Sequence, residues 1–167
     1  IIDKRISKKL AQKINFKSIL HPAQQRTLEQ FGLNFESGIL KAKCGWGKSF
    51  LATKLICDAS EPTIILLHTK LLMDQWNSLF KECTDYEPGI VGDGIFNPKD
   101  ITIGLYLSVN NRLEELRHRY TRVIVDETHR CGADLFSDTL TKFAAKYKQG
   151  MSATPTRRDG RHVLFPD

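Results

Sequence analysis

The stretch "KAKCGWGKSFLATKLIC", residues 41–57, decides how the chain is read. "SGILKAK" (37–43) leads into it as a short strand, and "KSFLATKLICDA" (48–59) leaves it as a helix. Between them lie Cys44, Gly45, Trp46 and Gly47. Gly45 and Gly47 admit backbone dihedrals closed to other residues and let the chain approach a ligand closely. Lys48 and Ser49 then open the helix, whose N-terminus favours anions. A glycine turn between strand and helix, closed by a lysine and a hydroxyl, is the arrangement of a phosphate-binding P-loop. Lys48 is expected to be exposed and to reach the phosphates. The strict pattern starts with glycine where this chain has Ala42, so it is met in relaxed form. Trp46 is expected to point away from the phosphates. Cys44 reads equally as a thiol that sensitises the loop or as a small filler.

Working outward, strands and helices alternate. "PTIILLH" (62–68) is a continuous apolar run, hence a buried strand. "KLLMDQWNSLFKEC" (70–83) places Leu72, Trp76, Leu79 and Phe80 on one helical face, which reads Trp76 as core rather than a base-stacking platform. "DITIGLYL" (100–107), "TRVIVDE" (121–127) and "YKQGMSA" (147–153) read as strands, and "ADLFSDTLTKFAAKY" (133–147) as a helix. "DYEPGIVGDGIFNPKD" (85–100) reads as a loop. The expectation is an α/β fold: a mainly parallel sheet with helices on both faces.

A second signal is independent of the first. "RVIVDETHR" sets Asp126 and Glu127 at the C-terminal end of an apolar strand, where ligands bind in open α/β sheets. Two carboxylates there suit two jobs. Asp126, with Ser49, is expected to hold Mg²⁺, and Glu127 to polarise an attacking water.

The 167 residues allow one sizeable core. No apolar run approaches a membrane span, and no secretory signal is visible. Four separated cysteines without a C-x-x-C pair fit a reduced, intracellular protein. Of the net charge of +6, most sits in residues 1–20: Lys4, Arg5, Lys8, Lys9, Lys13 and Lys17 against Asp3. That segment reads either as a solvated face or as a phosphate contact. Ile6, Leu10 and Ile14 repeat at helical spacing, which predicts an amphipathic helix.

Several elements together resemble superfamily 2 helicases. Asp126-Glu127-Thr128-His129 resembles their D-E-x-H box, and "MSATPTRRDG" (151–160) their S/T-A-T-P motif in the T-P-x-R-x-D-G form of the XPB, UvsW and type III restriction-like branch. "ILHPAQQRTL" (19–28) resembles L-R-P-Y-Q, "LHTKLLMDQW" (67–76) resembles P-T-x-x-L-x-x-Q-W, and "ITIGLYLSV" (101–109) is similar to I-T-I-A-T-Y-Q-S-L. The resemblance implies a RecA-like P-loop NTPase domain, ATP and Mg²⁺ as cofactors, and ATP-driven movement on nucleic acid, with DNA favoured over RNA. It implies that Gln24, Cys44, Gly45, Trp46, Gly47, Lys48, Ser49 and Phe50 bind nucleotide, and that Lys48, Asp126 and Glu127 carry the catalysis. His129, Ser152 and Thr154 would couple the γ-phosphate to the strand-binding surface, and Thr69, Lys70 and Ser108 would lie along the nucleic-acid track. His21, Ala23, His68, Leu105, Leu107 and Thr128 depart from the family's residues.

The resemblance further implies that ATP is sandwiched between two lobes. The chain is expected to be the first: 1–18 a basic N-terminal segment, 19–160 the ATP-binding domain, 161–167 the start of a linker or the chain end. Hydrolysis would then require the second lobe. Two other readings stay open: a P-loop ATPase or kinase that does not act on nucleic acid, and a nucleic-acid-binding module with a vestigial nucleotide site.

Overall fold

The computed structural model describes residues 4–31, 36–128 and 133–153. Seven strands form one sheet in the order β1-β7-β6-β2-β5-β3-β4. The strands are β1 (Ser37–Lys41), β2 (Thr63–Leu67), β3 (Gly89–Gly92), β4 (Ile95–Asn97), β5 (Ile101–Leu105), β6 (Arg122–Val125) and β7 (Tyr147–Ser152). Six run parallel, and β4 pairs antiparallel with β3 at one edge. The helices are α1 (Pro22–Phe31), α2 (Lys48–Ala59), α3 (Lys70–Cys83), α4 (Tyr106–Asn111), α5 (Leu113–Leu116) and α6 (Ala133–Lys142).

Strand β2 shows why the sheet is covered on both sides. All five residues are buried. Successive side chains alternate between faces. Ile65 and Leu67 pack with Ile56 of α2 and with Trp76 and Phe80 of α3. Ile64 and Leu66 pack with Val109, Leu113, Leu116 and Phe143 on the opposite face. A strand buried on both faces needs no polar alternation, which is why "TIILL" is uniformly apolar.

The expected α/β layout and mainly parallel sheet are present, with helices 48–59 and 70–83 at the bounds expected. Four local expectations are corrected. Residues 85–100 are not simply a loop, because β3 and β4 form a hairpin. Asp93 (φ 52°) and Gly94 (φ 77°) make its two-residue turn, and Asp-Gly is the pair that such turns favour. The strand at 100–107 stops at Leu105, and Tyr106 begins α4, burying its ring. The helix at 133–147 ends at Lys142, and the Ala144 N–H donates to the Arg117 carbonyl instead of continuing it.

The fourth correction concerns the N-terminal segment. Residues 4–20 contain no helix. The segment lies extended along the domain, with single bridges from Ile6 to Ala145 and from Phe16 to Thr84. Ile14 is 3% exposed. A spacing of four also falls on one face of an extended chain, so the repeat did not separate the two conformations. Two of its six basic side chains pair with the domain. Arg5 pairs with Glu36 at 2.7 Å and Lys9 with Glu61 at 2.9 Å.

Candidate nucleotide site

The parallel strands bring the chemistry-bearing residues to one edge. The loop 42–49 follows β1, Ser152 ends β7, and Asp126 and Glu127 follow β6. These three strands are adjacent. The Ala42 N–H donates to the Ser152 carbonyl at 3.3 Å, and the Thr128 N–H to the Met151 carbonyl at 3.0 Å, which ties the loop, β7 and the acidic pair together. Thr69 and Lys70 follow β2, and Ser108 lies just beyond β5; β2 and β5 are the next two strands of the sheet after β6.

The loop has the backbone its glycines suggest. Gly45 has φ 77° and Gly47 φ 86°, both left-handed. Gly47 is the N-cap of α2 and brings no side chain to cap it. The first N–H groups of a helix have no partner within it, so this end offers donors to an anion. A Cβ built on Gly45 meets nothing within 4 Å, so the turn is open there. A Cβ on Gly47 lies 2.5 Å from Gln24 Nε2.

Lys48 is buried, at 9% exposure, and not exposed as the sequence suggested. Its Nζ donates to the carbonyls of Ala42 and Lys43 at 3.1 and 3.2 Å, so the ammonium sits in the curve of the loop. Phe50 packs its ring edge-on against Phe16, centroids 5.2 Å apart, so the N-terminal segment braces the first turn of α2. Cys44 is exposed and Trp46 half-buried.

Gln24 is 8% exposed. Its Oε1 accepts from the His21 N–H at 2.9 Å, and its Nε2 donates to the Trp46 carbonyl at 2.9 Å. The amide is therefore already engaged in holding α1 to the loop.

Asp126 is 6% exposed. Its Oδ1 accepts the Glu127 N–H at 2.8 Å, and its Oδ2 accepts the indole N–H of Trp76 at 2.8 Å. Burial pushes its carboxyl above the usual carboxylate range, against the opposing pull of the two N–H groups and the Lys48 charge. Glu127 has φ 56°, in the left-handed region that costs a non-glycine residue about 1–3 kcal/mol. Such a φ clusters at functional sites and also occurs in turns and caps, as at Asp93 and Ser60.

Sequence reasoning missed the Trp76 contact. It placed Trp76 in the core, and the residue is there, at 1% exposure. The signal available was its chemistry: a buried indole N–H needs an acceptor, and the apolar partners Leu72, Leu79 and Phe80 supply none.

Other expected residues carry local contacts. The Thr69 hydroxyl caps α3, accepting the Leu72 N–H at 3.3 Å. Lys70 pairs with Asp93 at 2.5 Å and approaches Asp74 at 3.9 Å. Ser108 is half-buried in α4, and Ser152 is buried. His129 and Thr154 lie outside the described residues.

Among the described residues no group of three or more His, Cys, Asp or Glu is placed to cage a metal. Mg²⁺ is usually held by one or two carboxylates together with phosphates, and the Asp126 carboxylate is a donor of that kind. No helix of the described residues is long and apolar enough to cross a membrane.

A strand, a glycine loop with an inward lysine, and an acidic pair two strands away are joined here to a sequence match spanning residues 10–157 with the type III restriction enzyme, res subunit, family. The chain belongs to that family. It is 35% identical over 134 residues to the DNA 3'-5' translocase XPB2 of Sulfurisphaera tokodaii, covering 80% of this chain and 30% of that protein. Its fold matches the UvsW helicase of bacteriophage T4 with a TM-score of 0.64 at 19% identity, over 84% of this chain and 54% of that one. It matches the Sulfolobus solfataricus SWI2/SNF2 ATPase core, solved with dsDNA, with a TM-score of 0.69 at 17% identity, over 89% of this chain and 35% of that one. The superfamily 2 resemblance and the RecA-like fold read from the motifs therefore stand. The chain spans about a third of that curated relative or less.

Proposed function

We propose that the chain is the ATP-binding lobe of an ATP-dependent helicase or translocase acting on DNA, with hydrolysis requiring a second RecA-like lobe. The observation that carries this reading is the shared sheet edge. The P-loop and the Asp126–Glu127 pair flank β7, and the predicted nucleic-acid residues lie just past the C-terminal ends of the adjoining strands β2 and β5.

The residues have a division of labour. Backbone N–H groups of the loop and of the start of α2 bind the phosphates of ATP, and Lys48 exchanges its two carbonyl partners for phosphate oxygens. Ser49 and Asp126 hold Mg²⁺, which when bound neutralises phosphate charge. Glu127 orients the attacking water and accepts its proton. Gln24 braces the loop from α1 and recognises the adenine. Ser152, with His129 and Thr154, links the phosphate end to the strand-binding surface. Thr69, Lys70 and Ser108 reach nucleic acid, Lys70 by giving up its exposed pair with Asp93. The domain spans 19–160, and residues 4–18 of the basic N-terminal segment 1–18 pack on it.

The choice of DNA rests on the names of XPB2 and of the SWI2/SNF2 complex. An arginine from the second lobe would complete the charge stabilisation, a contribution of roughly 10³–10⁵ in rate in other nucleotide hydrolases.

The test is phosphate release by the chain alone and joined to its second lobe, each with no nucleic acid, duplex DNA, single-stranded DNA or RNA. DNA-stimulated turnover only in the two-lobed protein is expected. Turnover indifferent to every nucleic acid would contradict the reading and favour an ATPase or kinase of another class.

A further inference from the structure

Trp76 stands on the second turn of α3, whose buried face is otherwise Met73, Phe80 and Cys83. A phenylalanine here would be apolar throughout, at the cost of some packing volume. What tryptophan adds is one N–H, a donor that cannot accept. That N–H goes to Asp126 Oδ2 at 2.8 Å, between side chains 1% and 6% exposed. The other oxygen takes the backbone N–H of Glu127, also at 2.8 Å. A carboxylate offers about four lone-pair sites. Two are used here, by donors fixed to two different elements, so the plane of the carboxylate and the directions of its remaining lone pairs are set before any ligand arrives.

We infer that Trp76 is a positioning residue for the metal-binding carboxylate: its indole N–H holds Asp126 in the orientation that receives Mg²⁺ with the nucleotide. This deepens the nucleotide-site reading above and rests on it. Outer partners of metal-binding groups orient the ligand, and removing one typically costs 10–100-fold in metal affinity or activity. Trp76 acts through Asp126 and touches neither the phosphates nor the water.

The experiment compares ATP affinity in Mg²⁺ with ATP affinity in EDTA, for the native chain and for Trp76→Phe, Asp126→Asn and the double variant. The ratio of the two affinities isolates the metal's contribution from that of the loop. Trp76→Phe should lower this ratio roughly tenfold. Its affinity in EDTA should stay within about twofold of native, because Lys48 and the loop are untouched. In the Asp126→Asn background, Trp76→Phe should change the ratio no further, as expected for two residues acting as one unit. A purely structural tryptophan would leave the ratio unmoved.

A second measurement needs no change at Trp76. The chain has two tryptophans, and a collisional quencher such as acrylamide suppresses the half-buried Trp46 while sparing the emission of Trp76, which is 1% exposed. Mg²⁺ with ATP should shift its emission more than ATP alone, and Asp126→Asn should remove the difference. If Trp76→Phe fails to fold, this arm decides, and emission indifferent to Mg²⁺ overturns the inference. Native ATP binding with an unchanged ratio in Trp76→Phe, or additive effects in the double variant, overturns the inference alone. No saturable ATP binding by the native chain overturns the nucleotide-site reading and the inference with it.

Discussion

Gln24 and Gly47 are fitted to one another: a single methyl group on Gly47 would stand 2.5 Å from the Gln24 amide nitrogen. The same nitrogen donates to the carbonyl of Trp46, so helix α1 grips the loop at the glycine that turns it into α2. Two separate penalties therefore bear on Gly47→Ala. One is the left-handed φ of 86° and the other is the collision. Together they should cost about 1–3 kcal/mol, lowering Tm by a few degrees in a domain of this size. Adding Gln24→Ala should recover the steric part and leave the dihedral part. Thermal melts of the two single variants and the double one measure the split, and strict additivity would show that the contact carries no strain.

Glu127→Gln should preserve Mg²⁺-ATP binding and lower turnover of the two-lobed protein by about 10²-fold or more, since the amide keeps the shape and loses the base. Asp126→Asn should instead weaken the Mg²⁺ dependence of binding. Steady-state phosphate release beside equilibrium binding separates the two. Hydrolysis at the native rate by Glu127→Gln would end the division of labour between these residues.

The cysteines should differ sharply in reactivity. Cys44 lies exposed on the loop, while burial pushes the Cys57 thiol up to about 12. The thiolate is the reactive form, so at pH 8 only about 1 in 10⁴ of Cys57 would be ionised. A disulfide reagent at pH 8 should modify Cys44 rapidly and leave Cys57 intact, with Mg²⁺-ATP slowing the reaction at Cys44. Raising the pH to 9 should not expose Cys57, because its folded value still lies well above. Mass mapping of the labelled sites checks this, and equal labelling of both would contradict the burial.

How far the sequence reached is clearest where it stopped. Strands β2 and β6 and helices α2 and α3 were legible because continuous apolar runs and a glycine–lysine boundary have few alternative readings. The β3–β4 hairpin was hidden by its glycines and prolines, although Asp93-Gly94 carried the turn. Contacts across the chain were not legible at all. Nothing local indicates that Trp76 meets Asp126 fifty positions on, or that Lys48 folds onto Ala42 and Lys43. The first pairing exists because parallel strands gather distant residues at one end of the sheet, and the second because the loop curls back on itself within six residues.

The N-terminal segment was misjudged for a related reason: its conformation is set by what it lies against. Ile14 is buried with Ile56, Phe80 and Ile101 in the core on the α2–α3 side of the sheet. Ile14→Ala should cost about 2–5 kcal/mol, the range for truncating a buried aliphatic side chain. Lys13→Ala beside it, on an exposed residue, should be nearly neutral. Denaturant melts of both variants test the packing, and equal small effects would mean that the segment is only loosely attached.

The central claim is that the loop around Lys48 holds the phosphates of a nucleotide. The most direct measurement is a calorimetric titration of ATP with Mg²⁺ into the native chain and into Lys48→Ala, with a thermal melt of each. Loss of the lysine's two charge-assisted hydrogen bonds should cost about 1.5–3 kcal/mol each, and the melt shows whether the variant stays folded. The account predicts saturable one-to-one binding by the native chain and a loss of about 10²-fold or more in affinity in the folded variant. Equal affinity in the two, or no saturable binding by the native chain, would contradict it.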